Sequence, residues 1–96
     1  MGERVYVDFN EMPSRDEVLL AQGDSKVDRL GNRVEFREGA AVSVYMDDPD
    51  EHGRPDSLIA DGVAALNTHG GWTAAAKWLL KIDGRGIRRE SEEPSQ

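Results

Sequence analysis

Ninety-six residues with a net charge of −7 and a pI of about 4.7 describe one small, acidic domain. That charge sets long-range repulsion against nucleic acid and anionic membranes as main partners, because binding phosphate requires Lys and Arg. The absence of Cys excludes disulfides, thiolate metal sites and Cys nucleophiles and points to a reducing, cytoplasmic setting; the first residues show no leader pattern, and no apolar run approaches the ~20 residues that span a bilayer.

Alternation organises the first half of the chain. Val5, Val7 and Phe9 share one strand face, with Tyr6 and Asp8 on the other. Met12-Pro13-Ser14-Arg15-Asp16 ends this run, and Gly23-Asp24-Ser25 ends the next, Val18-Leu19-Leu20. Leu30-Gly31-Asn32 between Val27 and Val34 predicts a hairpin, and Glu38-Gly39 a further reversal after Val34 and Phe36. Val42, Val44 and Met46 then face a core, with Ser43 and Tyr45 opposite. Ala41 to Asp48, followed by a long acidic loop, is similar to the start of SH3 domains over under a tenth of the chain. The paired aromatics that those domains use for proline-rich ligands are missing, since Thr73 follows Trp72, so no ligand role follows from the likeness.

Two later segments admit both structures. In 57–67, a strand places Ile59, Val63 and Ala65 on one face and Leu58, Ala60, Ala64 and Leu66 on the other, with Gly62 as a bulge or bend. The competing helix starts at Asp56 or Ser57 and suffers from Gly62, which costs it about 1 kcal/mol against Ala. In 72–83, Trp72, Ala74, Ala76, Trp78, Leu80 and Ile82 alternate as a strand, while the alanines and lysines favour helix by propensity. Asp83-Gly84-Arg85-Gly86 is another turn, and its hairpin pattern favours the strand. The expected fold is all-β: a small antiparallel barrel of about six or seven short strands over residues 1–89, with SH3-like proportions. The alternative is α+β, with one helix in 57–67 or 72–81. Residues 90–96 contain no apolar side chain and are expected to form a disordered acidic tail.

Chemistry concentrates between the third apolar run and the 57–67 segment. Asp48, Asp50 and Asp56 stand at positions one, three and nine of a calcium-loop pattern, with Gly53 at the sharp turn. His52 occupies position five and Ile59 position twelve, so the closing Glu is absent and the pattern describes an open Ca²⁺ site on a β-hairpin rather than an EF-hand. The same Asp, Pro and Gly residues also suit a plain solvated turn. His52 and His69 lie in loops without ligand spacing. No serine sits in a nucleophile elbow, and Gly84-Arg85-Gly86 lacks the third glycine of a dinucleotide loop, where Arg89 stands. The reading is therefore a non-catalytic module that binds a protein or peptide, through Tyr6, Tyr45 and Leu79 on the polar phase of their strands. Ca²⁺ binding is one alternative. Another is weak nucleic-acid binding through a basic strip of Lys77, Lys81, Arg85 and Arg88, which serves equally as a set of cross-strand partners for acids such as Glu35 or Asp8.

Overall fold

A computed structural model describes residues 4–92. Eight strands follow one another: β1 (Val5–Tyr6), β2 (Glu17–Ala21), β3 (Ser25–Val27), β4 (Arg33–Glu35), β5 (Ala41–Asp47), β6 (Ser57–Leu66), β7 (Trp78–Ile82) and β8 (Arg88–Arg89). Two single-turn 3₁₀ helices, Gly71–Thr73 and Glu90–Glu92, are the helices among the described residues, and no helix is long and apolar enough to cross a membrane. The chain is all-β. Its main sheet, in the order β1-β5-β6-β7-β2, curls into a half-barrel, and β8 flanks the start of β6. The β3–β4 hairpin forms a second, small sheet, and Asp28 at its base bridges to Val5 of β1.

Period-two alternation explains the curl. Val18, Leu20, Val42, Val44, Ala60, Ala64, Trp78 and Leu80 project inward with Val5, Val7, Phe9 and Phe36 to make one core. The 57–67 segment is a single ten-residue strand, paired with β5 from Ala41↔Val63 to Asp47↔Ser57. Gly62 does more than bend it. A Cβ built there lands on the Lys81 carbonyl of β7, so only glycine lets the two backbones approach this closely. The turns fall where Gly31, Gly39 and Gly86 take positive φ, each closed by a backbone hydrogen bond.

Three details depart from expectation. β1 runs parallel to β5, because the long excursion through β2, β3 and β4 returns the chain in its original direction. Only Trp78–Ile82 of the 72–83 segment is strand; Trp72 and Thr73 lie in a 3₁₀ turn that opens on Gly71, whose φ is +66°. The alanines between them lack the branched or aromatic side chains that favour a ladder, and the Asn67 amide ties the segment back by donating to the Thr73 and Ala76 carbonyls. At the C-terminus, Glu90–Glu92 is a docked turn rather than the start of a tail: Glu90 accepts from Arg29, and Ser91 donates to Asp56 through both its N–H and its hydroxyl. Residues 93–96 lie outside the described residues.

Candidate functional site

The ladder registers place Ser43, Tyr45, Ile59, Asp61, Val63, Ala65, Leu79, Lys81 and Leu19 on the outer face of the sheet. Tyr6 lies opposite Tyr45 across the parallel β1–β5 pair, and their rings meet edge to face with centroids 5.7 Å apart. Tyr6 is 47% exposed, whereas Tyr45 lies under Arg29, whose guanidinium carbon is 4.2 Å from the ring centroid. Leu79 shares the outer face but is only 1% exposed. In the loop pinned by Asn67, Thr73 and Ala76 are buried, and they line one groove with Leu19, the β2 partner of Leu79. The structure therefore brings Tyr6 and Tyr45 together and seals Leu79 in a small outer core.

The four residues of the basic strip separate into local pairs. Lys77 Nζ lies 2.8 Å from Asp24, and Lys81 faces Glu17 across the β2–β7 ladder. Arg85 and Arg88 both converge on Asp61, at 2.8 and 2.9 Å, and Arg4 reaches the same carboxylate at 3.0 Å. Asp61 stands where β6 changes neighbours from β8 to β7, so the chain entry before β1, the β7–β8 turn and β8 itself all reach it. Burial raises its pKa, but hydrogen bonds from Ser43 and Arg88 and the charge of Arg4 outweigh that and hold it at about 2. These acids differ from the Glu35 and Asp8 considered in the sequence, and the Lys77–Asp24 pair lies in the loops rather than across a ladder.

The acidic loop is internally bonded. Asp50 accepts from the N–H groups of His52 and Arg54, closing an Asx turn. Asp48 and Asp56 both accept from Arg89, at 2.6 and 3.4 Å. Asp56 also takes the Ser57 N–H, the largest of the influences that lower its pKa, ahead of the Ser91 hydroxyl. Among the described residues no group of three or more His, Cys, Asp or Glu side chains is placed to hold a metal ion. His52 lies beside Glu51, and His69 touches Glu17 at 3.0 Å.

A groove of about 480 Å³ lies between the two ends of the curled sheet. Tyr6, Val7 and Asp8 line one wall, and residues 19–23 of β2 and its exit line the other. Glu11, Lys26 and the loop residues Trp72, Thr73, Ala75 and Ala76 complete it. Its volume falls within the range of small-ligand and peptide pockets. Trp72 is 63% exposed, while Trp78 is buried in the core with its indole N–H on Asp24. Lys26 points inward from β3, directly opposite Val34, and its Nζ donates to the Tyr6 carbonyl at 2.7 Å. Burial pushes its pKa down, and the charge of Glu11 opposes that shift.

Of the groove residues, the sequence reading singled out Tyr6 alone. Two signals marked the others. Lys26 is the charged residue that the Gly31-Asn32 hairpin sets against the inward Val34, and Trp72 follows paired glycines, where alternation has already broken. Comparison of the chain with protein-family models, with curated proteins and with solved structures finds no match.

Proposed function

We propose that the chain is a non-catalytic module that binds an extended peptide segment of a partner protein in the groove between β1 and β2. The observation that carries this reading is Trp72: a large aromatic held 63% exposed by a pinned loop, in the lining of the same 480 Å³ groove as the exposed Tyr6. Aromatic side chains at a concave site provide large contact area at little entropic cost and dominate peptide and protein recognition. The Ca²⁺ reading draws less support, because Asp48, Asp50 and Asp56 already accept internal donors. The nucleic-acid reading does too, because Lys77, Arg85 and Arg88 stand against carboxylates.

The test is selection from a displayed random-peptide library with free C-termini, followed by amide chemical-shift mapping. Selected peptides should shift residues 19–23 and 72–76 and lose binding in Trp72→Ala, a variant that stays folded because the side chain is exposed. Shifts centred on the 48–56 loop or on the Asp61 cluster would refute the groove as the binding site.

A further inference from the structure

We propose that the groove captures the free terminal carboxylate of its peptide, with the Lys26 ammonium as receptor. This deepens the peptide-binding reading and rests on it. An ammonium has three donors, and the structure shows one of those of Lys26 in use, on the Tyr6 carbonyl. Among the described residues no carboxylate lies within ion-pairing distance of its Nζ; Glu11 acts on it only through space. A half-buried cation with donors left over, in a groove whose lining includes Leu19 and Val7, gains from an anion that also brings apolar surface. Asp8, the other acid of the groove, accepts the Asn10 N–H through Oδ1.

About 480 Å³ holds a few residues. A C-terminal residue carries its carboxylate and its side chain on one α-carbon, so it reaches Lys26 and packs against Trp72 together. Terminal-carboxylate capture is a recurring mode of peptide recognition.

The probe is the tightest library peptide, synthesised as the C-terminal acid and as the C-terminal amide, with titration calorimetry and amide shifts as readouts. The acid should bind about tenfold tighter than the amide, the scale of one charge-assisted hydrogen bond. Lys26→Gln should abolish that preference, and Glu11→Gln should widen it. The opposite signs separate recognition of charge from damage to the groove, and Trp72→Ala should weaken both forms alike. Equal affinity of acid and amide, with shifts still in the groove, overturns the carboxylate assignment and leaves the peptide reading standing. Shifts elsewhere overturn both.

Discussion

Replacing Asp61 with Asn keeps the shape of the side chain and removes the charge that three arginines share. Asp61 is 19% exposed, with Arg4, Arg85 and Arg88 within 3.0 Å and the Ser43 hydroxyl donating at 2.6 Å. Its folded pKa of about 2 lies below the ordinary value of 3.8, and each unit of difference corresponds to 1.36 kcal/mol, so its ionised form contributes about 2 kcal/mol to folding. The shift is a depression, so this stability is fully present above about pH 4 and is lost as the pH falls towards 2. Asp61→Asn should therefore unfold at least about 2 kcal/mol more easily at pH 7, a fall of roughly 10 °C in Tm for a domain of this size. Urea melts of both proteins from pH 7 to pH 2 check the argument. Glu17, Asp24 and Asp56 also have lowered pKa values and add to acid sensitivity in both proteins, so the difference between the two curves isolates Asp61. It should be constant from pH 7 to about 4 and then narrow towards pH 2. Parallel curves down to pH 2 would show that the cluster is held by shape and hydrogen bonds rather than by charge.

Gly62→Ala should cost more than 2 kcal/mol or break the β6–β7 ladder, because the obstacle is the Lys81 backbone rather than a movable side chain; amide exchange across β7 reads this directly. Leu79→Ala should cost about 2–5 kcal/mol in a denaturant melt, as for a core leucine, whereas Tyr6→Ser should cost far less. Calcium at millimolar level should leave Tm unchanged, because the acidic loop already has Arg89, Ser57 and Ser91 as partners; a rise reversed by chelator would establish a site.

The architecture was legible because the core strands alternate cleanly. Val42 to Met46 keeps period two without interruption, whereas 57–67 is apolar in both phases, and it is the pairing of the two strands that fixes it as β6. What misled was alternation among residues with no β preference. The run from Trp72 to Ala76 satisfies period two only because alanine fits either phase, and Asn67, remote in sequence, decides its shape by binding two of its carbonyls. Leu79 shows a different limit. Its phase is outward as expected, but an outward position is exposed only if nothing folds back over it, and its burial to 1% is a tertiary event. The charge pattern was legible as pairing but not in its partners, since the meeting of Arg4, Arg85 and Arg88 at Asp61 depends on where β6 changes neighbours.

The groove follows from the same topology. A sheet ordered β1-β5-β6-β7-β2 has β1 and β2 as its ends, and full closure would require those two to pair. They do not. β2 carries a bulge between Leu19 and Ala21 that turns it away, the Glu11 carbonyl takes the Leu19 N–H, and β1 is met on its outer side by Asp28 and Lys26 of the hairpin instead. Each edge is thus partly satisfied by a different local device, which blunts the risk of edge-to-edge aggregation. The space left between them is lined by whatever those devices present: Lys26 from one side, Glu11 from the other and Trp72 from the loop. A mutation that zipped β1 to β2 would stabilise the barrel and erase the groove together. The open ends and the groove are thus one property of the topology, since neither strand can pair with the other without filling the space between them.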